Sequence, residues 1–202
     1  LDGNNYWGDI VLKTTFSHYE DVGGLKLPRR FVSTLDRFFQ SDFSVTWNTV
    51  DAEIGNLAAP PSVVSAAPPA PQPVALVTEE VPGAPGVWKI WIRQGDVRPD
   101  QRPDTNATCL IELSDHLVLF DVPGGDPFVE AVLAKAKELR PNKPVTQLIL
   151  SHFDPGHTAG LRAGVAAGLE LVTFKANVAA FTDLVGRKHV INPDALSKNP
   201  KP

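Results

Sequence analysis

Alternation of apolar and polar positions changes character twice along the chain. Near the start, Asp9 to Phe16, Arg30 to Leu35 and Phe43 to Val50 alternate with period 2 and are rich in β-branched and aromatic residues, with breaks at Gly23-Gly24 and Pro28. They predict a small antiparallel β unit. Between Ala58 and Pro73, six of sixteen residues are Pro and five are Ala, so periodic apolar surface is lost and the backbone is biased to extended polyproline II. A linker or surface strap is expected there. Beyond it, Gly86 to Ile92, Thr108 to Leu113 and His116 to Val122 read as three strands, the last two joined by a tight turn at Ser114-Asp115.

The period then shifts to that of a helix. Asp126 is expected as N-cap with Pro127 at the first helical position, and Phe128/Val129, Val132/Leu133, Ala136 and Leu139 share one face up to Pro141. Val145 to Leu150 follows as a buried strand, Thr158 to Ala167 as a helix stopped by Gly168, Leu169 to Phe174 as a strand, and Ala176 to Val185 as a helix ended by Gly186. From Asp126 onward the order is α, β, α, β, α, which implies parallel pairs with right-handed crossovers and an α/β fold with a mixed sheet. Residues 192–202 read as a connector.

Composition narrows the classes. At 202 residues, 43% hydrophobic and 21% charged, the chain is long enough for a real core and close to average globular usage. A net charge of -4 argues against nucleic-acid coating or polybasic membrane binding, and no apolar run nears the roughly 20 residues of a membrane span. Cys109, the single cysteine, excludes an internal disulfide and a zinc-thiolate cage. The chain opens on Leu1 and has no Met, which reads as a processed or trimmed start and favours a processed or secreted form.

Candidate chemistry gathers at Ser151-His-Phe-Asp-Pro-Gly-His-Thr-Ala-Gly160, between a strand end and a helix start, where side chains converge in open α/β sheets. Two of the five histidines and an aspartate fall within six residues there. Imidazole nitrogen and carboxylate oxygen are ligands of zinc, iron and manganese, and Pro155-Gly156 allows a turn tight enough to aim them together. A helix beginning beside His157 is expected to disfavour its imidazolium. The competing structural reading makes Asp154 a helix cap and gives the histidines backbone partners. His18 and His116 read as surface or turn residues, His189 as part of a solvated basic run with Arg187 and Lys188, and Cys109 as a small buried hydrophobe. Trp88 and Trp91 point to opposite faces, Asp121 is expected to hold the loop of Ser151 and His152, and the 100–104 stretch reads as a polar loop.

This passage resembles the metallo-β-lactamase fold superfamily, whose hallmark is His-x-His-x-Asp-His followed by small residues and Gly. His152 takes the first position, Asp154 that of the second histidine, Gly156 that of the aspartate, and His157 the last. Val118 to Pro123 resembles the family's strand ending in an acidic residue, Lys143 to Leu150 the strand feeding the metal loop, and Thr158-Ala-Gly-Leu-Arg-Ala163 its helix start. Residues 19–28 are similar to an N-terminal β extension of some members. The resemblance implies an αββα sandwich of which only the first βα half is evident: a β-rich extension at 1–57, a linker at 58–85 and the half-domain at 86–202. It also implies a metal-dependent hydrolase acting on a small molecule, with His152, Asp154 and His157 as metal ligands and no more than one ion, zinc or, given the carboxylate, iron or manganese. Gly156 removes the carboxylate that in the family binds a second metal and positions water, so weakened activity is expected. A non-catalytic structural or binding module remains the alternative, and an iron-based redox role a third. One sheet alone exposes an apolar face, so a missing C-terminal half or another chain is expected to complete the sandwich.

Overall fold

The computed structural model describes residues 2–4, 6–53, 55, 58–61, 75–92 and 107–200. The chain opens with a two-stranded pair, β1 (Asp2–Asn4) and β2 (Gly8–Ile10), and divides into two compact units. Most of the expected Pro/Ala stretch and the 100–104 loop lie outside the described residues.

The first unit, mainly Ile10–Gln72, is an antiparallel sheet of β3 (Leu12–Val22), β4 (Leu25–Leu35) and β5 (Phe38–Ser44) in that order. The third strand lies earlier than its expected 43–50. Asp36 adopts a left-handed backbone (φ 51°), so the chain reverses at once and Leu35 pairs with Phe38. Pro28, expected to break a strand, sits inside β4 opposite Tyr19. Residue-by-residue pairing with β5 begins at Arg30, and Val45 N–H still reaches Arg29 O at 2.8 Å.

The second unit comprises Gly3–Asp9 and Pro73–Pro202. Its sheet contains β6 (Leu76–Glu80), β7 (Val87–Ile92), β8 (Thr108–Glu112), β9 (Leu117–Phe120), β10 (Val145–Leu150) and β11 (Glu170–Thr173), ordered β11-β10-β9-β8-β7-β6. Pairings from β6 to β9 are antiparallel; β9, β10 and β11 are parallel. The fold is thus α/β with a mixed sheet. The expected linker at 58–85 needs one correction: Leu76–Glu80 is an edge strand. Glycines at positive φ, Gly83 and Gly86, turn the chain back so that Val81 N–H reaches Val87 O at 2.8 Å.

Helix α1 (Asp126–Leu139) crosses from β9 to β10, and α2 (Pro155–Thr158) and α3 (Leu161–Ala166) cross from β10 to β11. A 3-10 turn at Lys175–Asn177 leads into α4 (Val178–Gly186), and α5 (Ala195–Lys198) follows. The cap of α1 is Gly125, not Asp126; the Asp126 carboxylate instead accepts the Ala195 N–H at 2.7 Å. The expected 158–167 helix starts earlier, at Pro155, and breaks before Leu161. Nor is 192–202 a plain connector. Asp194 caps α5 and Leu196 is buried, so the segment closes on the domain.

Ile90, Leu110, Leu117, Leu119, Leu148 and Leu150 form the sheet side of the core, against Phe128, Val129 and Val132 of α1, Leu161 of α3, and Phe181 and Leu184 of α4. The opposite sheet face carries two cross-strand rows, Val87–Ile111–Val118 and Cys109–Phe120–Ile149–Val172, in which all but buried Val118 and exposed Val172 are half-buried.

The α2–α3 break is enforced by close approach. A Cβ on Gly160 meets Gly124 O at 2.5 Å, Val129 Cγ2 at 2.6 Å and Val122 Cβ at 2.9 Å, atoms of or next to a backbone that cannot yield. Gly160→Ala is therefore expected to cost about 1–3 kcal/mol by overpacking. Urea unfolding checks this; an unchanged midpoint refutes the close approach.

Candidate metal centre

Where β9 ends, Asp121 enters the left-handed region at φ 55°, a conformation that Asp and Asn accept more readily than other side-chain-bearing residues. Its backbone N–H still donates to Ile149 O at 2.8 Å, so the carboxylate is held beside the end of β10. There Oδ1 accepts the Ser151 N–H at 2.8 Å, and Oδ2 accepts both the Ser151 hydroxyl at 2.7 Å and His157 Nδ1 at 3.0 Å. Asp121 is buried. Val122 N–H donates to His157 O at 2.7 Å, which ties the far end of the loop to the same strand end.

Hydrogen-bond accounting fixes two tautomers. An ionised carboxylate only accepts, so His157 Nδ1 carries the proton facing Asp121. Ser151 spends its one hydroxyl proton on Asp121, so at its 2.9 Å contact with His152 Nδ1 the hydroxyl accepts and the imidazole donates. In the neutral form that a metal requires, each ring is thereby left with Nε2 as the lone-pair nitrogen. The ring centroids lie 4.4 Å apart.

Asp154 precedes Pro155 in an extended conformation and caps α2, its Oδ1 accepting the Gly156 N–H at 2.7 Å. The second carboxylate oxygen has no such duty in the cap. One ligand atom each from His152, Asp154 and His157 lies within 4.8 Å of the others, with His157 half-buried and the other two exposed. The donor set of two imidazoles and one carboxylate, so gathered, fits a divalent transition metal. α2 starts two residues before His157, so His157 lies inside a one-turn helix, and the group that fixes its proton is Asp121.

Behind the loop, Thr158 Oγ1 donates to Asp154 O at 2.7 Å and so accepts from the Tyr6 phenol at 2.8 Å. Burial raises the Tyr6 pKa above its ordinary value, and the Asp154 charge raises it further. Phe153 packs against Trp7 and Phe181 at 5.7 and 6.2 Å between ring centroids. Nothing in the sequence pointed to Tyr6, which meets Thr158 across 152 positions.

The three expected ligands are therefore together, and Asp121 holds Ser151 as expected, and His157 besides. His116 lies in the β8–β9 turn with Asp115 Oδ1 2.7 Å from its Nδ1, and His18 is exposed in β3 of the other unit. Cys109 is half-buried, with burial pushing its thiol above the ordinary value. His189 departs from expectation: it is buried, not solvated.

No family model matches the chain, and no curated protein does. Among solved structures, it is similar to a metallo-beta-lactamase from Hirschia baltica, at 21% identity and a TM-score of 0.43, over 58% of this chain and 51% of that one. It is also similar to the metallo-beta-lactamase FIM-1 from Pseudomonas aeruginosa in its mono-zinc form, at 15% identity and 0.44, over 59% and 50%. A third, a metallo-beta-lactamase from Pontibacter korlensis, stands at 19% and 0.42, over 56% and 50%. The chain spans about half the length of each.

Proposed function

We propose that the chain carries the metal-binding loop of a hydrolase that acts on a small molecule, with His152, Asp154 and His157 as ligands to a single divalent cation. The observation that carries this reading is that one ligand atom each of His152, Asp154 and His157 lies within 4.8 Å of the others, while the Nδ1 contacts of His157 with Asp121 and of His152 with Ser151 leave each ring a second nitrogen for coordination. Zinc suits the imidazoles, and the carboxylate also suits iron or manganese. When bound, such an ion lowers the pKa of a water and polarises a carbonyl or ester. The chain's own residues position: Asp121 and Ser151 hold the imidazoles, and Asp154 couples the ligand loop to the start of α2. Gly156 supplies no carboxylate to orient water, so the chemistry is slow.

A second reading has an observation in its favour. Asp154 already serves as the cap of α2, which is what a loop retained for structure alone requires. In either reading, we expect a further layer, from a longer chain or a partner, over the sheet face that carries the two apolar rows, because burying what remains exposed of them, Val172 above all, is favourable by about 25 cal/mol per Å².

Metal analysis of the purified full chain separates the readings. About one equivalent of zinc, lost in His152→Ala and His157→Ala, is the expected result. Absence of metal, together with no zinc uptake on titration, overturns it for the structural module; stoichiometric iron shifts it to redox chemistry.

A further inference from the structure

His189 is a buried titratable group that the metal loop does not use. Its side chain is 1% exposed, and neither ring nitrogen has a hydrogen-bond partner among the described residues. Buried polar atoms are nearly always satisfied, so an imidazole with both nitrogens idle calls for an explanation. Gly8, at φ 76°, leaves room for it: a Cβ there meets His189 Cδ2 and Nε2 at 3.0 Å, besides clashing with Lys188 O.

The ring lies within a strap, residues 187–198, that polar contacts hold to its surroundings. Asp9 accepts the N–H groups of Val190 and Ile191 at 2.9 and 3.1 Å, and its own N–H donates to Lys188 O at 2.8 Å. From α3, the Arg162 guanidinium takes the Asp194 carboxylate in its fork at 2.5 and 3.1 Å, and also donates to Ser197 Oγ and to the carbonyls of Leu184, Val185 and Arg187. Asp126, from α1, receives the Ala195 N–H. Asn192, Pro193 and Asp194 of the strap wall a cavity of about 650 Å3 with Tyr6, Asp126 and Arg162.

We propose that His189 is an acid-sensitive latch: a proton taken up by its buried ring frees the strap 187–198 from Arg162 and Asp9 and widens the partly open cavity that the strap helps to wall. His189 Nδ1 lies 3.8 Å from Asp194 Oδ2, beyond hydrogen-bond distance, so an imidazolium there is neither bonded nor hydrated, and it stands beside a guanidinium already committed to the same carboxylate. The charged groups that act on the ring are Arg162 of α3, Asp194 of the strap, Asp9 of the N-terminal segment and Asp126 of α1. Burial first, and Arg162 second, hold its pKa below the ordinary 6.5; Asp194, Asp9 and Asp126 pull weakly the other way. Protons are thus bound more readily in the open state. The latch is at full strength above about pH 6.5 and weakens as pH falls from there toward the depressed closed-state value, by up to about tenfold in the opening equilibrium per pH unit.

Hydrogen exchange on the intact chain, corrected for intrinsic rates, tests this between pH 7.5 and 5. The Ile191 and Ser197 amides, bonded to Asp9 and Asp194, are expected to lose protection by up to about tenfold per unit below pH 6.5 while α1 amides do not. His189→Leu is expected to abolish the slope, and His116→Gln to keep it. A slope that survives His189→Leu overturns the latch. If that variant fails to fold, an NMR titration of the wild-type imidazoles decides: His189 is expected below 6.5 on the same curve as the strap amides. Titration at or above 6.5, or strap protection independent of pH, overturns the proposal.

Discussion

Arg162→Met is expected to lower stability by about 3–5 kcal/mol, among the largest losses from any single substitution in the chain. The guanidinium is almost wholly buried, and its side chain and that of Asp194 are 8% and 13% exposed. Surface ion pairs contribute little, but removing one member of a buried pair strands the other charge in a poorly solvated site. Here Asp194 is stranded, and the carbonyls of Leu184, Val185 and Arg187 lose a shared donor. Burial by itself raises the Asp194 pKa, and hydrogen bonds from Arg162 and Ser197 overcome it, holding the carboxyl well below the usual range. A carboxyl so depressed adds stability that is present above its unfolded value of 3.8 and is lost as pH falls below it. The variant loses that contribution, so its deficit against wild type is greatest near neutral pH and shrinks in acid. Urea unfolding at pH 7 and pH 3.5 measures both. The double variant with Asp194→Leu is expected to recover part of the loss, because it removes the stranded charge. An Arg162→Met midpoint within about 0.5 kcal/mol of wild type rejects the account.

What could be read from the chain followed from how local each interaction is. The face of α1, the buried run of β10 and the turn into β9 depend on residues within a few positions of one another, and periodicity exposes them. The strand β6 was hidden because only its pairing to β7, set by Gly83 and Gly86, distinguishes Leu76–Glu80 from the proline-rich stretch before it. His189 read as solvated because Arg187 and Lys188 flank it, yet Gly8 and Asp194 bury it from opposite ends of the chain. The candidate site was legible for the opposite reason: His152, Asp154 and His157 lie within six positions, so one tight turn suffices to gather them. Asp126 shows the limit of local signals. A good capping residue stood one position too late, and its carboxylate went to Ala195 instead.

Asp121→Asn is expected to lower metal affinity by about 10–100-fold with little change in the fold. Asn keeps the shape and accepts the left-handed backbone at φ 55°, so strain is not the cause. The change lies in the protons. Asp121 accepts from three donors, the Ser151 N–H, the Ser151 hydroxyl and His157 Nδ1. An amide supplies one acceptor oxygen and an NH2 group. If the oxygen stays with the Ser151 N–H, the NH2 faces the hydroxyl and the imidazole, and both must turn from donating to accepting. His157 then places its proton on Nε2, the atom needed for coordination, and the Ser151 hydroxyl no longer leads His152 to keep its proton on Nδ1. If the amide flips, Ser151 loses the partner of its backbone N–H and the loop itself loosens. Either orientation works against the ligand set, whereas Ser151→Ala removes only the hold on His152 and is expected to cost less. Zinc titration with a competing chelator, run beside urea unfolding, distinguishes these outcomes. Equal affinity in wild type and Asp121→Asn, at equal stability, shows that the carboxylate does not orient a metal ligand.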